Sequence, residues 1–422
     1  MILSKIKQLI LAMNYLTLKI VIFSALKYKR LMKLLKHNYL LLLALLISCN
    51  SNTILESGLE SVSESIESKY APDKRVAIYA IDIDSSEDKI LLFGETDSKV
   101  AYKKLIDSIK SVSVDFVSKV RILPDTAVGN NIYAIARNSV INIRSAPKHA
   151  AELGTQGLLG MPLKVLDKKG DFYRVQTPDN YISWVDKGGI TTMNQGEFES
   201  WNTAEKIIFT KNFGYVYSAK NDTSEIVSDI TLGGILKYID EDRFYYTVAF
   251  PDKRTGFVKK EEAQKYSIWL TNNSATQENV AKTALSMTGF PYLWGGTSAK
   301  GVDCSGFTKM VYFMNGYIIP RDASQQIHAG KIVDKKLNFS NLQKGDLLFF
   351  GKKATDTKKQ RVTHVGIWLG NDNQEYIHAS GNVHISSMDE NNPLYDPFNK
   401  NRYLGSRRYL GIKDKMIIDL KK

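Results

Sequence analysis

Cys304 is the residue in this chain that is best placed to act as a nucleophile. It follows a glycine-rich stretch and precedes apolar residues at helical spacing from Phe307 to Met314, which predicts a helix that begins at Cys304. The unpaired backbone N–H groups at a helix start favour a thiolate over a thiol, and a thiolate attacks carbonyl carbons. The alternative is a buried cysteine that acts as a small apolar side chain.

Two histidines have the spacing needed to serve this cysteine. His364 opens one apolar run, His378 lies in the next, and the turn sequence Gly370-Asn371-Asp372-Asn373 separates the runs. This pattern predicts a β-hairpin that places the two imidazoles side by side, so that His378 orients His364 and fixes its tautomer. A zinc site formed by both histidines and Cys304 is the alternative, but no second cysteine or acidic pattern supports it. We expect no metal and no cofactor.

The positive charge of the chain is concentrated at its N-terminus. The 422 residues carry a formal net charge of +13, yet residues 1–48 contain eight basic residues and no acid. The remainder is only mildly basic, which argues against a nucleic-acid-binding protein and is compatible with an anionic polymer such as a bacterial wall. The chain has two cysteines, one of them in the N-terminal region, so no disulfide framework is expected.

Residues 1–48 are predicted to form a signal or targeting segment. The apolar run at 39–47 follows a basic start and is too short to span a bilayer comfortably. The sequence Leu46-Ile47-Ser48-Cys49 resembles a bacterial lipobox, which makes Cys49 the expected lipidation site. The alternative is an ordinary signal with a chance cysteine. Because Met32 begins a signal of normal length, we expect translation to start there. The alternative is that residues 1–31 form a second membrane-associated helix.

The rest of the chain divides into several predicted segments. Serine and glutamate dominate residues 49–74, which predicts a flexible tether, and residues 75–125 read as a small α/β segment without assigned chemistry. An internal repeat with a constant offset of 73 positions follows. Its copies, 126–197 and 198–270, each predict a small β-barrel of short strands. The domain that contains Cys304 spans 274–422.

The motifs around Cys304 and the two histidines resemble those of the NlpC/P60 cysteine peptidases. They read PYLWGG, DCSGF, HVGIWLG and YIHASG, in that order. The repeat copies resemble bacterial SH3 domains, since the first retains Asn142-Ile143-Arg144-Ser145 and Ser183-Trp184-Val185. The combination is similar to the γ-D-glutamyl-L-diamino acid endopeptidases, which cut peptidoglycan stem peptides between D-glutamate and the diamino acid. The resemblance implies an α+β, papain-like catalytic domain preceded by two SH3-like barrels and the small α/β segment.

The resemblance also implies a role for each matching residue. Cys304 would be the nucleophile, His364 the general base and acid, and His378 the orienting residue. Tyr292 would lie near the oxyanion and Asp303 near the free amine of the N-terminal L-alanine. The implied substrate-binding residues are Tyr292, Asp303, Ser305, Arg321, Asp322 and Tyr181.

Two positions depart from the family pattern. Ala323 stands where a serine is common, and Ala146 stands where an acidic residue is expected after Arg144-Ser145. The first change removes one implied contact to the glutamate. The second removes part of the implied recognition of a free L-alanine amine.

We therefore expect an exported, lipid-anchored and monomeric cysteine endopeptidase that acts on peptidoglycan stem peptides. Its anchor would hold it to a bacterial membrane, on the periplasmic or cell-surface side. One alternative keeps the same core and changes the reaction, to an N-acetylmuramoyl-L-alanine amidase or a thiol acyltransferase. The other is a non-catalytic wall-binding lipoprotein that uses its SH3-like domains as binders.

Overall fold

The computed structural model describes residues 56–86, 89–370 and 372–422. They belong to two compact units, of which the smaller contains residues from 56–69, 80–94 and 100–120 and the larger contains the remainder. Cys49 and the predicted targeting segment lie outside the described residues. In the described part of the chain, no helix combines the length and the apolar character that a membrane crossing requires.

The smaller unit combines two helices with a three-stranded sheet. Its strands β1 Tyr79–Ser86, β2 Lys89–Thr96 and β3 Phe116–Ile122 follow the order β1-β2-β3. Helix α1 covers residues 56–70 and α2 covers Lys99–Ser111. The helical state of 56–70 corrects the prediction of a flexible tether there. Leu59, Ser63 and Ile66 recur at helical spacing and are buried, so the serine- and glutamate-rich segment still has a face to bury.

The internal repeat is confirmed strand by strand. The first copy contains β4 Tyr133–Ala136, β5 Val140–Arg144, β6 Leu153–Leu158, β7 Pro162–Lys169, β8 Phe172–Gln176, β9 Ile182–Asp186 and β10 Ile190–Met193. The second contains β11 Lys206–Phe209, β12 Phe213–Tyr217, β13 Ile226–Thr231, β14 Ile235–Glu241, β15 Tyr245–Ala249, β16 Thr255–Lys259 and β17 Ala263–Lys265. Each strand of the second copy begins 73 positions after its counterpart, as Phe213 follows Val140. Helices α3 Gln195–Thr203 and α4 Tyr266–Asn272 follow the two copies.

The two copies also share one strand order, β10-β4-β7-β8-β9-β5-β6 in the first and its equivalent in the second. Both are SH3-like, as predicted, and in each copy the sheet of described strands is open and has two edges. In the first copy the edge strand β6 is covered by the C-terminal domain. The Gln156 backbone N–H donates to Thr297 Oγ1 at 3.0 Å. This hydrogen bond satisfies a backbone donor that would otherwise be unpaired at the edge of the sheet.

The C-terminal domain has the predicted α+β organisation, with a helix packed on an antiparallel sheet. Its six-stranded sheet follows the order β21 Lys331–Ile332, β26 Tyr403–Arg408, β22 Leu347–Lys352, β23 Arg361–Trp368, β24 Glu375–Ser380 and β25 Asn382–Ser387. Short strand pairs are β18 Thr297–Ser298 with β19 Gly301–Val302 and β20 Tyr317–Ile318 with β27 Ile418–Asp419. The helices are α5 Gln277–Ser286, α6 Cys304–Phe313, α7 Ala323–Gln326 and α8 Pro397–Asn401. Phe307 and Val311 of α6 pack with Val365 and Ile377 of the sheet in one apolar core.

Buried polar contacts hold the first SH3-like domain against this core. Gln156 Oε1 accepts hydrogen bonds from the Thr297 N–H at 3.0 Å and from Ser298 Oγ at 2.9 Å. Lys309 of α6 forms an ion pair with Asp179 at 2.7 Å, and both side chains are largely buried. The helix that begins at Cys304 is therefore fixed on one side by the sheet and on another by the SH3-like domain.

Candidate active site

Helix α6 begins at Cys304, as the sequence predicts. Asp303 is its N-cap residue, and its Oδ1 accepts a hydrogen bond from the Gly306 N–H at 2.7 Å. Glycine is required at position 306, because a Cβ there would collide with the carbonyl oxygen of Gly296. The first turn of the helix can therefore lie directly against the preceding chain, and Cys304 is held there with 8% of its surface exposed.

The two histidines are paired as the hairpin pattern predicts. His364 Nε2 and His378 Nδ1 are 2.6 Å apart. The register of β23 and β24 sets Ile367 against Ile377, which places His378 opposite Gly366 and diagonal to His364. A Cβ on Gly366 would lie 3.2 Å from the His378 Cβ, so the absent side chain at Gly366 gives the second imidazole room to reach the first.

The histidine strand passes directly beside the cysteine. The backbone N–H of Val365 hydrogen-bonds to the Cys304 sulfur, and Val365 is the next residue after His364. Because Nε2 of His364 is engaged with His378, Nδ1 is the ring nitrogen that remains for proton exchange with the thiol. The arrangement has the three parts of a thiol acyl-transfer site, a sulfur nucleophile, an imidazole and an orienting group.

Burial sets the protonation of both reacting groups. It raises the pKa of the Cys304 thiol to about 12, with the Asp303 carboxylate adding to the rise, and it lowers the pKa of His364 to about 4. Both groups are therefore neutral near pH 7 in the free site. Burial of the thiol therefore acts against the thiolate that the helix start favours. The thiol proton must instead pass to His364 as the sulfur attacks.

This protonation state predicts an unusual pH dependence. Because His364 must be neutral to accept a proton, kcat/KM should fall on the acidic side around pH 4 rather than around the usual histidine pKa near 6.5. It should remain nearly constant from about pH 5 to 9, since the Cys304 pKa of about 12 lies above this range. Steady-state rates across this range in buffers of constant ionic strength provide the measurement. An acidic limb near pH 6.5 would contradict a buried, neutral His364.

One cleft of about 450 Å³ brings the predicted substrate residues to Cys304. Besides Cys304, its walls include Tyr181, Tyr292, Asp303, Ser305, Arg321 and Asp322. His364 and His378 are buried, and His364 directly follows the cleft residues Val362 and Thr363. In the residues that the structure describes, no group of three histidine, cysteine or acidic side chains is arranged to hold a metal ion.

Asp303 is occupied by the protein itself. Its Oδ2 accepts from Arg321 at 2.6 Å and from the Gly295 N–H at 3.0 Å, and its Oδ1 accepts from Arg321 at 3.1 Å as well as from Gly306. This bidentate buried pair holds the helix start and the glycine turn together. The carboxylate to which the resemblance assigns the substrate amine is therefore neutralised by Arg321 in the free cleft.

The second predicted acid of the cleft is also paired with an arginine. Arg75 Nη1 lies 2.7 Å from Asp322 Oδ2, and Asp73 holds the same guanidinium from the other side at 2.7 Å. The Arg75 carbonyl accepts from the Ile182 N–H at 2.7 Å, which attaches this segment to the first SH3-like domain. Sequence reasoning missed Arg75 because a residue between a serine-rich segment and a strand carries no motif.

Glu152 is the cleft carboxylate that remains without a cation. Its side chain is exposed, and its Oε1 accepts from Trp294 Nε1 at 2.7 Å. It makes no ion pair with any residue that the structure describes. The Glu152 carbonyl accepts from the Ser145 N–H at 2.9 Å, so Glu152, which directly precedes β6, lies across from the residue before Ala146, where the sequence pattern expected an acid. A search for the nearest acidic residue after Ala146 in the sequence could have found it.

Comparisons with known proteins identify two domain families. The NlpC/P60 family profile matches residues 289–407, and the profile described as the bacterial dipeptidyl-peptidase Sh3 domain matches residues 143–190. The gamma-D-glutamyl-L-lysine dipeptidyl-peptidase of Bacillus cereus is 33% identical over 273 residues, which span 62% of this chain and 77% of that protein. Dipeptidyl-peptidase 6 of Lysinibacillus sphaericus is 31% identical over 271 residues, spanning 62% and 94%. The crystal structure of an NlpC/P60 family protein from Bacillus cereus aligns with a TM-score of 0.56 and 27% identity, covering 66% of this chain and 99% of that one.

Proposed function

This chain belongs to the NlpC/P60 family, and we propose that it is a cysteine peptidase that hydrolyses the γ-D-glutamyl–diamino acid bond of peptidoglycan stem peptides. One observation carries the proposal. Cys304 begins a helix in a cleft, beside the strand of His364, and His364 is paired with His378 at 2.6 Å. Two relatives, 33% and 30% identical to this chain, are named gamma-D-glutamyl-L-lysine dipeptidyl-peptidases. Their names support this bond as the target.

In the proposed reaction, the Cys304 sulfur attacks the γ-carbonyl carbon of D-glutamate while its proton moves to His364 Nδ1. The Cys304 backbone N–H and the Tyr292 hydroxyl stabilise the oxyanion. His364 then gives the proton to the departing amine of the diamino acid, which leaves a thioester on the enzyme. Water, deprotonated by His364, attacks this thioester, and the free γ-carboxyl group departs as the thiol is restored.

The charges of the cleft indicate which end of the stem peptide it holds. Asp303 and Asp322 are each neutralised by an arginine, whereas Glu152 has no cationic partner among the described residues. We propose that Glu152 binds the free amine of the N-terminal L-alanine. Tyr181 of the first SH3-like domain and Arg75 line the same cleft and would limit the space beyond a dipeptide. Hydrolysis would then release L-Ala-γ-D-Glu from peptides with a free N-terminus.

The test uses mass spectrometry of the products from L-Ala-γ-D-Glu-diamino acid peptides, with the L-alanine amine either free or acetylated. We expect the free peptide to yield the L-Ala-γ-D-Glu dipeptide and a new amine on the diamino acid. Acetylation should slow cleavage by roughly 10-fold or more, since it removes a charge-assisted contact and adds bulk. Glu152→Gln should reduce this preference to a few-fold.

Glu261→Gln is the matched control, because Glu261 is exposed and lies outside the cleft. It should retain the full preference for the free amine. Equal cleavage of the free and acetylated peptides by the unmodified protein would remove the role of Glu152. Release of no diamino acid amine from either peptide by a folded protein would overturn the proposed reaction and favour the amidase or the binding protein.

We also propose that the protein is exported and held to a bacterial membrane through lipidated Cys49. The lipobox-like sequence before Cys49 supports this proposal, and a cell-wall substrate requires export. Metabolic labelling with a fatty-acid analogue provides the measurement. Label on the wild-type chain that persists in Cys49→Ser would exclude this anchor.

A further inference from the structure

A series of buried and partly buried hydrogen bonds continues from the histidine pair to the carboxylate of Asp396. His378 uses Nδ1 toward His364 and places Nε2 3.1 Å from Ser386 Oγ. Ser386 lies directly opposite Tyr376 in the pairing of β24 with β25, and its hydroxyl hydrogen-bonds to the Tyr376 hydroxyl. Tyr376 donates to Asp396 Oδ2 at 2.7 Å. Four consecutive hydrogen bonds therefore connect His364 to Asp396.

The carboxylate end of this series is held in its ionised form. Asp396 is the N-cap of α8, and its Oδ1 accepts from the Asn399 N–H at 2.9 Å. Its Oδ2 accepts from Asn399 Nδ2 at 2.6 Å as well as from Tyr376. Burial alone would raise the pKa of Asp396, but these hydrogen bonds lower it below its ordinary value. An ionised carboxylate has no hydrogen to donate, so the Tyr376 hydroxyl must be the donor.

This fixed end sets the direction of every other hydrogen bond. Because Tyr376 donates its only proton to Asp396, its oxygen can act only as an acceptor, from Asn399 Nδ2 at 3.0 Å and from Ser386. Ser386 in turn accepts from His378, which must then carry its proton on Nε2 and present an unprotonated Nδ1. His364 donates its Nε2 proton to that nitrogen, which leaves Nδ1 of His364 as the base.

We propose that Ser386, Tyr376 and Asp396 are positioning residues that fix the tautomers of both histidines so that His364 keeps an unprotonated Nδ1 for Cys304. The proposal rests on the proposed cysteine peptidase function. It assigns three residues that carry no chemistry toward the substrate themselves. They act through the two imidazoles, as the aspartate does in a serine protease triad.

The surroundings of His364 make the tautomer decisive. The charged and titratable groups that influence the imidazole are Arg402, Asp396, His384 and Asp303. Arg402 lies close by, since its Nη1 donates to Thr363 Oγ1 at 3.1 Å and its Nε donates to Asn399 Oδ1 at 2.9 Å. Together with burial, this cation keeps His364 neutral near pH 7. Since the imidazole is neutral, the location of its single proton determines whether Nδ1 can accept another.

Tyr376→Phe tests the proposal, because it keeps the buried ring and removes the hydroxyl at the middle of the series. Ser386 would then lose its acceptor and could turn its proton toward His378 Nε2. That reversal would drive the His378 proton to Nδ1 and the His364 proton toward Nδ1. We expect kcat to fall roughly 10-fold to 100-fold with little change in KM, since general-base catalysis contributes about 10²-fold to 10⁴-fold.

Tyr403→Phe is the matched control. Tyr403 is a buried tyrosine in the same sheet whose hydroxyl donates to Asp334 Oδ2 at 2.9 Å and hydrogen-bonds to Ser406 Oγ at 2.6 Å. Like Tyr376→Phe, the substitution removes a buried tyrosine hydroxyl that contacts an aspartate and a serine. It does not remove a hydrogen bond in the series that leads to the histidines. Ser386→Ala is a second test variant if Tyr376→Phe does not fold, since it removes the acceptor of His378 directly.

The decisive readout is ¹⁵N NMR of the histidine rings in the full chain, which reports the protonated nitrogen without any substrate. We expect His364 and His378 to carry protons on Nε2 in the wild-type protein and in Tyr403→Phe, and His364 to shift toward Nδ1–H in Tyr376→Phe. Unchanged tautomers in Tyr376→Phe and Ser386→Ala, or the same shift in Tyr403→Phe, would overturn the proposal. Correct tautomers in a wild-type protein that cleaves no stem peptide would instead count against the proposed function alone.

Discussion

Substitution of Cys304 by alanine is expected to reduce cleavage of the stem peptide by about 10⁴-fold or more while leaving the fold intact. Loss of the nucleophile from a catalytic triad has an effect of this size or larger, and the residual rate comes from binding and oxyanion stabilisation. The fold should persist because Cys304 is a small buried residue at the first position of α6. Its replacement removes one sulfur atom, and the Asp303 cap does not depend on it.

Single-turnover rates of purified wild-type and Cys304→Ala proteins provide the measurement, with thermal unfolding of both as the check on folding. Cys304→Ser is a stricter variant because it retains a hydroxyl of similar size. It should also be strongly impaired, since the alcohol is a weaker nucleophile than the thiol at this neutral, buried position. A folded Cys304→Ala protein with more than a few per cent of the wild-type rate would exclude the cysteine mechanism and leave the non-catalytic reading of the site.

The positions of Cys304, His364 and His378 could be predicted because each depends on a local pattern. The glycine-rich turn and the apolar spacing after Cys304 define a helix start, and the hairpin turn sets the parity of the two histidines. The repeat was visible for a similar reason, since a constant offset of 73 positions preserves every strand. Patterns of this kind involve residues at short or constant spacings, so they can be read from the sequence alone.

The electrostatics of the site could not be predicted in the same way. The raised pKa of Cys304 and the lowered pKa of His364 depend first on burial, which requires the sheet and the SH3-like domain to be in place. Arg75 reaches the cleft only because its segment docks on that domain. Likewise, Ser386 and Asp396 meet Tyr376 through strand pairing and a helix cap. These groups are far apart in sequence, so no local spacing identifies them.

The buried pair of Arg321 and Asp303 leads to the second large expected effect. Arg321 is 1% exposed, and its guanidinium makes two hydrogen bonds to the Asp303 carboxylate. Arg321→Met would leave that carboxylate buried with backbone N–H groups and a serine as its remaining partners. Removal of one member of a buried pair costs about 3–5 kcal/mol. We expect a loss of that size in the free energy of unfolding, together with a severe loss of activity, because Asp303 holds the helix start that carries Cys304.

Urea unfolding and peptide cleavage measure the two effects, and a second substitution separates charge from packing. Asp303→Asn in the Arg321→Met background removes the uncompensated charge and retains a side chain that can cap α6, so the double variant should be more stable than Arg321→Met alone. Lys187→Met is the control, since the Lys187–Asp171 pair is exposed and its loss should change stability little. If the double variant is no more stable than Arg321→Met, then Arg321 stabilises the site through its packing. If the double variant recovers stability but not activity, the ion pair does more than stabilise the fold. Both Arg321 and Asp303 would then be needed to hold Cys304 in its catalytic position.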